Sequence, residues 1–105
     1  MMTHTAQDNP AVYIERDLQD LIPFFLEMRR KDLKFMPAAL ATGDWGMLRI
    51  SGHNMAGTGA AYGFPEITDI GREIEAAALS CNKQKLQNCI ADLTHFIEHV
   101  EVIYV

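Results

Sequence analysis

His53 is the clearest candidate for chemistry, because it lies among unusually small side chains in a segment, residues 50–64, that is otherwise patterned as a helix. An apolar stripe of helical period runs through this region and comprises Leu48, Gly52, Met55, Gly59 and Tyr62. At about 100° per residue, His53 lies more than about 120° from the centre of that stripe. We therefore expect its imidazole to face solvent.

The residues that follow His53 decide how easily a reactant approaches its ring. A helical side chain leans back over the preceding turn, so the residues at +3, +4 and +7 are the ones that would cover the imidazole. In this chain they are Ala56, Gly57 and Ala60. Each glycine inside a helix costs roughly 1 kcal/mol relative to alanine, so three of them, Gly52, Gly57 and Gly59, predict close packing on one side and clearance on the other. The pattern predicts an exposed, nucleophilic imidazole with a cleared approach.

This segment resembles the signature of histidine-containing phosphotransfer (HPt) domains, in which the phosphorylated histidine is followed by Lys at +3, Gly at +4, small residues and Gly at +10. The residues that match are His53, Gly57, Thr58, Gly59, Ala60 and Gly63. Ala56 stands where the family usually has the lysine. The likeness extends in looser form from about Asp17 to about Val102. It implies a phosphorelay carrier in which His53 accepts a phosphoryl group from a receiver-domain aspartyl phosphate and passes it to another receiver Asp.

The resemblance also implies the partners. A receiver domain of a response regulator or of a hybrid sensor histidine kinase would supply the aspartate and the magnesium. This chain contains no P-loop and no kinase glycine-rich loop, so we expect a carrier without a nucleotide site or cofactor of its own rather than an enzyme.

The sequence does not identify two polar groups expected near His53: a cation in place of the missing lysine, and the group that orients the ring. Arg49, four residues before His53 and on its side of the helix, is a candidate replacement for the missing lysine. By analogy with the family, Nε2 is the phosphorylated atom and the other ring nitrogen meets a polar group. Arg49, Asn54 and Arg72 are the local candidates for that group, and none is preferred.

The alternative to a carrier is a helical adaptor that is not phosphorylated and docks a receiver or kinase domain through the same surface. Ile50 is the first candidate for partner binding, with Phe24 and Met28 next. Phe24, Met28 and Phe35 form an apolar row that either packs under the N-terminal segment or forms an exposed docking patch. Because position 56 lacks the lysine usual in HPt domains, the adaptor remains an alternative function.

His95 and His99 lie four residues apart on one helix face, which is a spacing that metal sites use. Glu98 and Glu101 are near in sequence, but histidine and glutamate at such short spacing are common on solvated helices. We therefore predict no metal site.

Composition limits the remaining classes of function. With 105 residues, of which 49% are hydrophobic and 22% charged, the chain fits one small domain with a core. A net charge of −5 argues against nucleic-acid binding. No apolar run is long enough for a membrane span and no signal peptide is recognisable, so we expect a cytoplasmic protein that does not bind membranes. Cys81 and Cys89 are expected to be buried, reduced thiols.

The order of elements predicts an all-α fold, an antiparallel up-down-up-down four-helix bundle with a short extra N-terminal helix. Residues 1–10, including His4, are expected to form a mobile tail, and residues 11–105 the bundle domain. The short helix is expected over 11–21 and the four long helices over 22–41, from 45 to 62 or 63, from 65 to about 81, and from 83 almost to the chain end. The expected helix boundaries are Gly43, Asp44, Pro65 and Asn82. No strand is predicted, although the β-branched residues from 100 to 105 favour leaving the helix.

Overall fold

The computed structural model describes residues 9–105. Four helices account for most of them, and two short strands flank the helices along the chain. The elements in order are β1 (Ala11–Ile14), α1 (Ile22–Thr42), α2 (Trp45–Thr58), α3 (Pro65–Leu79), α4 (Lys83–His99) and β2 (Glu101–Tyr104). Single turns of 3-10 helix lie at Arg16–Leu18 and Ala60–Tyr62. Of the predicted tail, residues 1–8, which include His4, lie outside the described residues.

The four helix boundaries predicted from residue type are confirmed. Gly43 ends α1 in the left-handed conformation, with φ of 74°, which a residue without Cβ adopts at little cost. The Asp44 side chain accepts a hydrogen bond from the backbone N–H of Met47, and Asn82 caps α4 in the same way. Pro65 occupies the first turn of α3, where its missing N–H is not needed.

The predicted N-terminal helix is wrong, because residues 11–14 form a strand. β1 pairs in parallel with β2, so that Val12 lies beside Val102 and Ile14 beside Tyr104. Val12 and Ile14 are buried while Ala11 and Tyr13 are exposed, which is the period of two that a half-buried strand requires. Helix α4 ends at His99, short of the predicted position near the chain end, because residues 101–104 form β2, as their β-branched character favours. The fold is mostly helical with a two-stranded parallel sheet.

Aromatic rings fill the centre of the core beside the helix that carries His53. Phe64, which precedes α3, is fully buried; its ring lies 5.3 Å from that of Phe25 and 6.2 Å from that of Phe96, measured between centroids. Each helix packs against two others: α1 against α2 and α4, and α3 against α2 and α4. Burial of the apolar faces of all four helices is the main stabilising term of the fold.

Cys81 departs from its predicted place in the core. Helix α3 ends at Leu79, so Cys81 lies in the turn before α4, exposed and with φ of 51°. Cys89 is buried as predicted, and both thiols are free. Burial raises the pKa of the Cys89 thiol, and the carboxylates of Glu73 and Asp92 act in the same direction.

Candidate functional site

Helices α2 and α3 approach each other so closely that their contact is made through glycine. A Cβ added at Gly52 would lie 2.6 Å from the backbone N of Glu75, and one added at Gly71 would lie 2.5 Å from the backbone N of Ala56. A Cβ at Gly59 would meet the backbone N of Thr68 at 2.5 Å. The predicted close packing on one side of the His53 helix is therefore present, and α3 is the element packed there.

Helix α2 ends earlier than predicted, because a side chain of α3 enters its last turn. The Thr68 hydroxyl accepts a hydrogen bond from the backbone N–H of Ala60 at 2.7 Å and donates one to the Ala56 carbonyl at 3.1 Å. These two backbone groups are the pair that a continuing α-helix would join directly. The helix stops at Thr58, and the chain continues through a 3-10 turn that ends at Gly63, with φ of 93°.

His53 projects from α2 into solvent, and one of its ring nitrogens is held by α3. Its side chain is 70% exposed, and Nδ1 lies 3.1 Å from Oε2 of Glu75. A carboxylate only accepts hydrogen bonds, so in the neutral ring Nδ1 donates the proton of this contact. Nε2 then keeps its lone pair, and no protein atom among the described residues hydrogen-bonds to it.

The predicted clearance beside His53 is also present. No atom lies within 4 Å of the position that a Cβ at Gly57 would occupy. Ala60 is exposed and Ala56 is half-buried, so neither extends a long side chain over the ring. Ala56, Gly57 and Ala60 together form a low surface beside His53, which we call the small-residue collar.

Glu75 is the functional candidate that the sequence did not identify. Its side chain is 28% exposed and reaches from α3 to the imidazole on α2. The group that orients the ring is not one of those predicted, since Nδ1 is hydrogen-bonded to Glu75 instead of Arg49, Asn54 or Arg72. The paired glycines Gly52 and Gly71 were the available signal, because they mark where two helices touch and thus which acidic residue faces His53.

The residues predicted for partner binding lie on the surface. The exposed fractions are 54% for Ile50, 69% for Phe24 and 37% for Met28. Phe24 and Met28 are therefore exposed as a docking patch requires, whereas Phe35, the third member of the predicted row, is half-buried against the core. Two adjoining grooves run between α1 and α2, and Arg29 lines both of them. Their apolar lining residues are Leu21, Phe24, Phe25, Met28, Phe35, Met47, Ile50 and Tyr62.

A partly buried ion pair lies along these grooves. Arg29 Nε donates to Asp32 Oδ2 at 2.7 Å, and the Arg29 guanidinium lies 5.1 Å from the centre of the Phe25 ring. Burial raises the pKa of the Asp32 carboxyl above its ordinary value, while Arg29 acts in the opposite direction. The groove beside Phe24 and Met28 is thus mostly apolar, whereas the groove beside Ile50 is mixed and contains the Arg29–Asp32 pair.

His95 and His99 interact with each other and with the backbone. Their rings stack with centroids 4.2 Å apart, and His99 Nδ1 donates to the His95 carbonyl at 2.8 Å. Between residues 9 and 105, no group of three His, Cys, Asp or Glu side chains is arranged to hold a metal ion.

No protein-family model matches this chain, and neither the curated proteins nor the solved structures gave a match. The likeness to HPt domains therefore rests on the residues around His53. For the described part of the chain, no helix combines the length and the apolar character needed to cross a bilayer.

Proposed function

We propose that this protein is a phosphorelay carrier of the HPt type, with Nε2 of His53 as the phosphoryl acceptor. One observation carries the proposal: the exposed imidazole has Nδ1 bound to Glu75, which leaves Nε2 free, and open space surrounds Gly57 one turn further along the same helix. A nucleophilic histidine needs a free lone pair, a fixed tautomer and an open approach, and these three features occur together here.

The transfer follows from this geometry. The Nε2 lone pair attacks the phosphorus of an aspartyl phosphate, and the bond between phosphorus and the aspartate oxygen breaks, with its electron pair leaving on the carboxylate. The Nδ1 proton stays on the ring, which becomes cationic as the N–P bond forms, and the adjacent Glu75 carboxylate offsets that charge. In the onward step a carboxylate oxygen of a second aspartate attacks the phosphorus, the N–P bond breaks, and its electron pair returns to Nε2 of the ring. The receiver would supply the aspartate and the magnesium.

The fold that accompanies this proposal is an antiparallel up-down-up-down four-helix bundle. It is supported by the short connections between successive helices and by the packing of each helix against two others. In such a bundle His53 lies on an outer face of α2, where a second protein can reach it.

The docking surface that we propose for the receiver is the apolar groove surface beside His53, with Ile50, Phe24 and Met28 as contacts. A transient contact suits an apolar patch with a polar rim, and the Arg29–Asp32 pair and Asn54 provide such polar groups. Ile50→Glu is expected to weaken transfer without unfolding the domain, because Ile50 is exposed. Gln87→Glu, which adds the same charge at an exposed position on α4, is the matched control. Equal transfer rates in the two variants would place the docking surface elsewhere.

The second candidate function is the adaptor that binds a receiver or kinase domain without being phosphorylated. Ala56 favours it, because the lysine usual at this position in HPt domains is missing. Incubation with a receiver loaded by acetyl phosphate and magnesium separates the two. The carrier becomes labelled with phosphate that is labile to acid and stable to alkali, whereas the adaptor forms a complex without label.

A further inference from the structure

Phosphorylation of His53 would place a second negatively charged group near the Glu75 carboxylate. A phosphoryl group adds roughly −1.5 to −2 charges, and the carboxylate that holds Nδ1 is already negative. Like charges this close repel each other in a partly desolvated site. If His53 carries a phosphoryl group, as proposed above, the cationic ring offsets only part of this negative charge, and a second cation near the small-residue collar would offset more of it.

The contacts between α2 and α3 show which cation faces that collar. Ala60 contacts Thr68 at one end, and His53 contacts Glu75 at the other, so the two helices run in opposite directions along their interface. Between these contacts, Gly71 lies directly against the backbone of Ala56. Arg72 follows Gly71, and it lies between Thr68 and Glu75 in the register of the interface. Arg72 is thus placed across from Ala56, one turn of α3 away from Glu75.

Arg72 is available for such a role. Its side chain is 69% exposed, and the ion pair it makes with Asp69 is long, at 3.8 Å between two exposed groups. Pairs of this kind contribute little to stability, so the guanidinium can leave Asp69 at small cost. Ala56, which faces this part of α3, has a side chain of one methyl group, and the guanidinium fork matches phosphoryl oxygens in geometry.

Arg49 is less well placed for the same task. It precedes His53 by one turn of α2, and helical side chains lean toward the helix N-terminus. The open space lies on the other side of His53, around Gly57. A cation on the facing helix α3 is better placed to enter this space.

We propose that Arg72 is the phosphoryl-binding cation of the His53 site and that it reaches across Ala56 to the phosphoryl oxygens. In this proposal Arg72, on α3, supplies the positive charge that the lysine usual at the position of Ala56 would supply from α2. The inference rests on the proposed function, because it requires that His53 be phosphorylated.

Phosphoramidate tests the inference without a partner protein. The His53 Nε2 lone pair attacks its phosphorus, the P–N bond of the reagent breaks, and ammonia leaves. The rate of phosphorylation and the half-life of the product are followed by phosphorus NMR, and His53→Gln identifies the His53 signal among those of other histidines. In Arg72→Gln we expect phosphorylation to slow by roughly 3- to 10-fold, with partial recovery in Arg72→Lys, which keeps the charge without the fork. Added salt is expected to slow the native protein more than Arg72→Gln, because it screens the exposed cation.

Arg49→Gln is the matched control, since it removes an exposed arginine from the other side of His53, and its rate is expected to stay within about twofold of the native one. A second readout is the side-chain Nε–Hε resonance of Arg72, which should shift on phosphorylation of the native protein and stay in place in treated His53→Gln. If His53 is phosphorylated while Arg72→Gln keeps the native rate and the Arg72 resonance does not move, the inference is wrong and the carrier function stands. If neither phosphoramidate nor a receiver labels His53, the proposed function itself is wrong.

Discussion

Gly52 and Gly71 meet across the α2–α3 interface at a distance that leaves no room for a side chain on either. A Cβ on Gly52 would lie 2.8 Å from the Gly71 carbonyl oxygen, and a Cβ on Gly71 would lie 2.8 Å from the Gly52 carbonyl oxygen. Gly52 is the residue immediately before His53. It brings α3 close enough for the carboxylate of Glu75 to reach the imidazole.

Gly52→Ala is expected to push the two helices apart. The added methyl would meet backbone atoms of α3, which cannot rotate away, so we expect a loss of about 1–3 kcal/mol in the free energy of unfolding, measured by denaturant titration. Phosphorylation at His53 should fall as well, because Glu75 moves away from the ring. Unchanged stability would show that the interface can open without cost.

Gly57 is expected to respond in the opposite way, since open space surrounds it. Gly57→Ala should stabilise the protein by about 0.4–1 kcal/mol through helix propensity and a less flexible unfolded chain. Transfer to His53 should nevertheless slow progressively through Gly57→Ala, Gly57→Leu and Gly57→Glu, because bulk and then negative charge enter the approach. The measurements are a melting curve and a single-turnover transfer rate for each variant. A native transfer rate in Gly57→Leu would exclude a steric role for this glycine.

Glu75 is expected to act through the orientation of the His53 ring. Glu75→Ala removes the acceptor of the Nδ1 proton, and we expect the phosphorylation rate to fall roughly 10- to 100-fold, as when a group that fixes a histidine tautomer is lost. Glu75→Gln keeps an acceptor oxygen without the charge and should lose less. Nitrogen NMR of the imidazole should show more of the other tautomer in Glu75→Ala.

Glu73→Gln is the control for this pair of variants. It removes a carboxylate two residues away that contacts Lys85 of α4 at 3.1 Å instead of the histidine. Its tautomer population and phosphorylation rate should match those of the native protein. If Glu75→Ala also keeps both native values, the contact between Glu75 and His53 has no part in the reactivity of the ring.

The two cysteines are expected to differ in reactivity. Cys81 is exposed, whereas Cys89 is buried and its raised pKa keeps it in the less nucleophilic thiol form. At mildly alkaline pH a thiol reagent should therefore modify one cysteine rapidly and the second only after denaturation. Cys81→Ser should abolish the rapid phase. Two rapid phases in the native protein would mean that the α4 face around Cys89 opens readily.

The features predicted correctly from the sequence are those whose causes are local. Gly43, Asp44 and Asn82 act within one turn of their own helix ends, so their residue types are sufficient to place the boundaries. The exposure of His53 likewise follows from its angular position on α2. The positions of Gly52 and Gly57 indicated that one side is packed and the other open.

The features that were missed depend on residues far apart in the chain. β1 is stabilised by β2, which lies at the opposite end of the chain, and the spacing of Val12 and Ile14 alone did not separate a strand from a helix. The early end of α2 depends on the Thr68 hydroxyl, and the orientation of His53 depends on Glu75, 22 residues away. The register between α2 and α3 decides both contacts, and it becomes visible only when the helices are packed.

The most direct measurement is the site of phosphate attachment after incubation with a phosphorylated receiver and magnesium. Phosphorus and nitrogen NMR of the labelled protein should assign one phosphoryl group to Nε2 of His53, because Nδ1 is occupied by the contact with Glu75. His53→Gln should remain unlabelled with a nearly unchanged melting temperature, since His53 is exposed, while His95→Gln and His99→Gln should label as the native protein does. Attachment at Nδ1, or label retained in His53→Gln, would contradict the assignment of His53 Nε2 as the phosphoryl acceptor.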